Sequence, residues 1–140
     1  MSDGVVTDGE YTNIQMTCGR IDLIDDHHKT LLELLDRSYW LKLQENNKDE
    51  LTQLLYELID YSNYHFSAEE RLMIKYNYSN IDHHILEHLS FTDTMMTYEK
   101  MMVEDNDNIP DDVFYFVNKW LLEHILNTDI KMGRFIQSRL

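Results

Sequence analysis

Four stretches of this chain repeat apolar residues at alternating steps of three and four, the spacing that aligns side chains along one face of an α-helix. The first runs through Ile21, Ile24, Leu31 and Leu35, the second through Leu51, Leu54, Leu58 and Leu72. The third joins Ile81, Phe91, Met95, Tyr98 and Met102, and the fourth joins Val113, Val117, Leu121 and Phe135. Only four glycines and one proline occur in 140 residues, so little interrupts long helices. The polar stretches "ENNKDE" (45–50), "KYNYSN" (75–80) and "DNDNIPDD" (105–112) separate the stripes and read as turns. Ser79 and Asp82 form a capping-box-like pair, and Pro110 suits a helix first turn. The predicted fold is all-α: an up-down-up-down antiparallel four-helix bundle over residues 20–140, a single domain, with an extended N-terminal segment at 1–19.

Charge narrows the partners. The formal net charge is −14, a field that repels phosphate backbones and anionic membrane surfaces, so neither nucleic acid nor membrane is an expected partner. No apolar run approaches the roughly 20 residues needed to span a bilayer. The polar, acidic start "MSDGVVTDGEYTN" lacks the marks of a secretion signal. A single cysteine, Cys18, rules out an internal disulfide and fits a reducing compartment. A cytoplasmic location is expected.

The gaps in the stripes carry the chemistry. They hold His28, then Ser62, His65 and Glu69, then His84 and His88, then His124 and Thr128, with Asp129 one residue off the last stripe. A polar group at a core position costs several kcal/mol unless it is satisfied. One inward histidine is ordinarily satisfied by a core hydrogen bond. Inward histidines on all four helices cannot easily satisfy one another, and two metal ions would satisfy them all.

The spacings suit metal. Residues i and i+4 share a helix face, as His65 and Glu69 do in "HFSAE" and His84 and His88 do in "HILEH". His124 and Asp129 are five apart, about 140° off one another on an ideal helix. Asp129 therefore needs either a bent side-chain path or a π-type bulge to join the same site. Imidazole and carboxylate together suit Fe, Zn, Cu or Mn. Seven ligands are too many for one ion and about right for two bridged by carboxylates, for which Glu69 and Asp129 are the candidates. The stripe through His84 is apolar and the stripe through His83 is polar, so His83 is expected in solvent. Periodicity does not separate His27 from His28.

Taken in order, "IDDHHKTL" (24–31), "HFSAEE" (65–70), "HHILEHLSF" (83–91) and "WLLEHILNTD" (120–129) resemble the bacterial hemerythrins, the non-haem di-iron oxygen-binding proteins. The resemblance spans roughly residues 20 to 138. It implies that His28 is the first-helix ligand. It implies further that His28 and His65 serve the iron with an open position, and that His84, His88 and His124 fill the other. Glu69 and Asp129 would bridge the two Fe ions beside an oxo or hydroxo group. Phe66, Trp120 and Leu121 match apolar residues that wall the oxygen pocket. The implied function is reversible dioxygen binding, as carrier, storage or delivery protein and not as an enzyme, with small anions as further ligands of the open iron.

Two departures from the family pattern stand out. The N-terminal "YTNIQMTCGR" has no tryptophan, and His27 stands where glutamine is common, a position expected at the surface, with a role behind a metal ligand as the alternative. Three other readings compete. Sensing or iron handling could use the same site; sensors usually carry an attached output domain, for which 140 residues leave no room, unless a partner supplies it in trans. A ferritin-like di-iron oxidase would use Glu-x-x-His motifs, and none occurs. A bundle holding zinc or no metal would be colourless. The methionines of "MMTYEKMM" (95–102) read as core filler and helix surface.

Overall fold

The computed structural model describes residues 22–44, 48–104 and 111–140. The expected N-terminal segment, Ile21, Cys18 and Pro110 lie outside the described residues. Helices α1 (Asp22–Leu43), α2 (Lys48–Lys75) and α3 (Ile81–Glu104) are followed by α4 (Asp111–Glu123), a π-helical segment (His124–Asp129) and α5 (Ile130–Gln137). The last three are one continuous rod, since Glu123 and Ile130 at the two junctions keep ordinary helical dihedrals. The architecture is therefore the predicted all-α four-helix bundle, with no strand among the described residues. No helix there is long and apolar enough to cross a membrane.

The turn between α2 and α3 shows how local chemistry sets the ends. Asn77 takes φ 53°, a left-handed value that asparagine tolerates better than most residues. The Tyr78 N–H donates to the Met73 carbonyl at 2.9 Å and the Asn77 N–H to that of Ile74 at 3.2 Å, the paired bonds that close a helix C-terminus. Tyr78 and Met73 pack in one apolar cluster, which adds the hydrophobic contact of that motif. The His84 N–H bonds to the Asn80 carbonyl, so Asn80, one residue after Ser79, is the residue that caps α3.

The core has three layers along the bundle. At one end Ile24, Met73, Tyr78, Met132 and Ile136 pack together. At the other, a larger cluster gathers Leu31, Leu35, Leu54, Leu58, Phe91, Met95, Val113, Val117, Leu121 and Ile125. Between them lie the candidate ligands, all buried: His28, His65, Glu69, His84, His88, His124 and Asp129; Thr128, also a predicted gap, is only half-buried. Ser62, another gap, is satisfied within its own helix by donating to the Leu58 carbonyl at 2.7 Å.

Two predicted core positions are displaced by one residue. Met73 is fully buried where Leu72 was expected, and Leu72 is half-buried beside it. On the last rod, Ile136 is buried and Phe135 only partly so. The second shift follows from the π segment. One extra residue per turn rotates everything after it by about one position, so the inward set continues as Asp129, Met132 and Ile136.

Candidate metal centre

The π segment decides how the site closes. A π turn pairs residues five apart, so His124 and Asp129 come onto one face, and Asp129 Oδ1 lies 2.9 Å from His124 Nε2. Of the two routes open to Asp129 in the sequence, the bulge is the one used.

Seven side chains meet in two overlapping groups. Glu69, His84, His88, His124 and Asp129 form one, and His28, His65, Glu69 and Asp129 form the other; within each, the ligand atoms lie within 4.8 Å of one another. Each carboxylate divides its oxygens between the groups. Glu69 Oε1 faces His84 at 3.3 Å and His88 at 3.1 Å, while Oε2 faces His65 at 3.2 Å. Asp129 Oδ1 faces His84 at 3.1 Å and His124 at 2.9 Å, while Oδ2 faces His28 at 2.8 Å and His65 at 3.3 Å.

These contacts are a poor hydrogen-bond network and a good cation cage. The Nε2 atoms of His88 and His124 are 3.2 Å apart, and two neutral imidazoles whose other nitrogens donate elsewhere would meet there lone pair to lone pair. Those other nitrogens do donate: His88 Nδ1 to Glu70 Oε2 at 2.8 Å and His124 Nδ1 to Glu87 Oε1 at 2.7 Å. Glu69 Oε2 is fully buried and makes no hydrogen bond of acceptable geometry. Positive charge at the centre of each group resolves these conflicts, and the donor set fits a pair of metal ions.

The titration behaviour points the same way. Burial by itself lowers the pKa of His65, but Glu69 and Asp129 more than offset it and raise it to about 9. His84 is lowered by burial and raised by its contacts with Asp129 and Glu69, again to about 9. His124 is held well above its ordinary value. Glu69 and Asp129 stay well below theirs, although burial and their mutual repulsion oppose ionisation. The folded centre thus holds two anions and draws in protons where no metal is bound.

His83 is 63% exposed and His84 is buried, as the stripes predict. His27 corrects the expectation of a surface residue: it is only 3% exposed, and its Nδ1 lies 3.1 Å from His65 Nδ1. The apolar residues expected near the site belong to one cluster with the core. Phe66 stacks on His88 with ring centroids 4.0 Å apart, Trp120 stacks on His124 at 4.6 Å, and Leu121 is fully buried.

Two residues that periodicity assigned no role complete the arrangement. Glu70 and Glu87 orient His88 and His124 from the helix edge, where a half-exposed carboxylate reads in a sequence as solvated. Glu87 also accepts from Thr128 Oγ1 at 2.8 Å, and hydrogen bonding to His124 is the main cause that lowers its pKa to about 2. A cleft of about 340 Å³ lined by Glu87, Trp120, Glu123, His124, Asn127 and Thr128 brings solvent to this edge.

Comparisons with known proteins agree with this geometry. The family described as Hemerythrin HHE cation binding domain matches residues 20–136. A bacteriohemerythrin of Clostridium acetobutylicum is 32% identical over 113 residues, covering 78% of this chain and 88% of its own. That of Methylococcus capsulatus is 28% identical, covering 81% and 86%. A wild-type hemerythrin crystal structure superimposes with a TM-score of 0.75 at 26% identity, over 89% of this chain and 98% of that one. With the family's domain matched across nearly all of the bundle and a buried histidine–carboxylate cage at its centre, the chain belongs to the hemerythrin family.

Proposed function

We propose that this protein binds dioxygen reversibly at a di-iron centre held by His28, His65, Glu69, His84, His88, His124 and Asp129, as a carrier, store or delivery protein. The observation that carries the reading is the division of each carboxylate between the two groups. Two ions side by side need bridging anions, and imidazole cannot easily span two metals. His84, His88 and His124 would hold one iron and His28 and His65 the other, which leaves the second iron fewer protein ligands and room for an external one.

A ferrous pair supplies two electrons for the capture of dioxygen. The chain's own residues favour binding over turnover. Five neutral imidazoles against two carboxylates put little negative charge on the site, which disfavours the high-valent iron that oxygenases use. Leu121, Phe66 and the half-buried Trp120 keep bulk water from the centre. Small anions would compete for the open position. Residues 20–140 act as one domain in this reading, and the cytoplasm is the compartment that suits it.

An anaerobic-to-aerobic absorbance cycle on iron-loaded protein, with metal analysis, tests the proposal. Two irons per chain and a visible band that appears in air and disappears when oxygen is removed are expected. One iron per chain, stoichiometric zinc from iron-replete cells, or a single irreversible oxidation would overturn it.

A further inference from the structure

The three hydrogen bonds behind the imidazole cage are not alike. His88 and His124, in the three-histidine group, donate their Nδ1 protons to carboxylates, at 2.8 Å to Glu70 and 2.7 Å to Glu87. His65, in the two-histidine group, meets another imidazole, with His27 Nδ1 at 3.1 Å from its own Nδ1. His65 turns Nε2 toward Glu69 and Asp129, so Nε2 is its metal-facing atom. A neutral imidazole that gives Nε2 to a metal keeps its proton on Nδ1. His65 Nδ1 is then the donor, and His27 Nδ1 must be a bare acceptor. His27 is packed to hold that pose: it is buried, it lies edge-on to Tyr61 with centroids 5.7 Å apart, and Tyr64 is 5.0 Å away.

We propose that His27 is a positioning residue, a neutral hydrogen-bond acceptor that fixes the His65 ring toward the two-histidine metal position without the electron push that a carboxylate there would add. A carboxylate accepting from an imidazole N–H draws the proton toward itself and makes the ring a stronger donor to metal. Glu70 and Glu87 do this on the three-histidine side, which favours the ferric state there. His27 carries no charge as an acceptor, so it orients His65 without that push. His65 thus differs from His88 and His124 in the group that stands behind it. An iron held by His65 would thereby be easier to keep ferrous than one held by the same ring backed by a carboxylate.

The inference rests on the di-iron reading, and three variants separate the two. His27→Gln keeps a neutral acceptor, His27→Glu supplies an anionic one and His27→Leu supplies none. Each protein is loaded with ferrous iron anaerobically, and its iron content, rate of iron extraction by bipyridyl, reduction potential and rate of air oxidation are measured. Circular dichroism of the metal-free proteins verifies folding. His27→Gln should match the wild type in all four. His27→Leu should lose iron about 10-fold or more faster, the usual scale for removing a group behind a metal ligand. His27→Glu should retain iron, move to lower potential and oxidise faster. Wild-type protein that does not hold two irons overturns the di-iron reading and this inference with it. Wild-type protein with two irons, matched by His27→Leu in extraction rate and potential, overturns the inference alone. So does equal damage from His27→Gln and His27→Leu, which would mark His27 as packing only.

Discussion

Replacing Leu121 by alanine should shorten the life of the oxygenated state far more than it damages the metal centre. Leu121 is fully buried in the large apolar cluster and lies three residues before His124, one turn away on the same helix face. Truncating a fully buried leucine costs about 2–5 kcal/mol, the lost transfer energy plus the cavity left behind. The unfolding entropy of about 2.1 cal/mol/K per residue comes to roughly 0.3 kcal/mol/K for this chain. A loss of about 3 kcal/mol therefore lowers Tm by about 10 °C. All seven proposed ligands are untouched, so iron content should stay near two per chain. The cavity, however, admits water close to the centre. Decay of the visible band that air produces should be at least several-fold faster than in the wild type at one temperature and pH. Leu121→Met, which nearly conserves volume, should recover most of both losses. An unchanged decay rate with iron content intact and Tm lowered as expected would show that Leu121 is core packing and guards nothing.

Other outcomes are expected. His84→Ala should lower iron content and His83→Ala should not, as read by metal analysis, because only His84 is buried at the cage while His83 is 63% exposed. Glu87→Ala removes the acceptor of His124 Nδ1 and should weaken iron retention by about 10–100-fold in a chelator competition, with Glu87→Gln intermediate. In metal-free protein His65 and His84 are raised from 6.5 to about 9, so the stability they contribute is fully present below pH 6.5 and lost as pH rises through 9. Thermal melts of metal-free protein across pH 6 to 10 should fall over that window. A flat profile would mean that the two imidazoles do not hold protons in the folded state. Loading ferrous iron at pH 7.5 should release protons into weakly buffered solution, because the metal takes nitrogens that protons held.

The bundle and most of the cage were legible because both are written in helical periodicity. Each polar gap at 28, 65, 69, 84, 88 and 124 interrupts an apolar stripe, and burial follows the stripe. Asp129 was visible as a candidate, but its route was not. Nothing in "HILNTD" announces an i+5 turn, whose benefit comes from closing the cage and not from local preference. The same turn explains why Phe135 was expected inside and Ile136 is found there. Glu70 and Glu87 were hidden for a different reason: a carboxylate at the helix edge looks solvated until the neighbouring helix brings a histidine to it. His27 was misplaced because periodicity did not separate it from His28, and the resemblance that made His28 the ligand left His27 to the surface. The neighbouring α2 covers that flank with Tyr61 and Tyr64, so it is buried all the same.

Burying five imidazoles and two carboxylates in one layer is costly without compensating charge, and the arrangement of charge explains why this layer is tolerated. Two ionised carboxylates at the centre of an apolar core are costly only while they lack cations. In metal-free protein, protons on His65, His84 and His124 supply that charge, since the carboxylates hold all three imidazoles above their ordinary pKa. The apolar clusters above and below exclude water and so strengthen each of these attractions. Protons can therefore stand in for part of the cationic charge where no metal is bound. In the di-iron reading, metal entry would exchange those protons for iron. The carboxylates would then be the shared groups. Glu69 and Asp129 keep their charge with or without metal, and His65, His84 and His124 are the groups whose protons metal would replace.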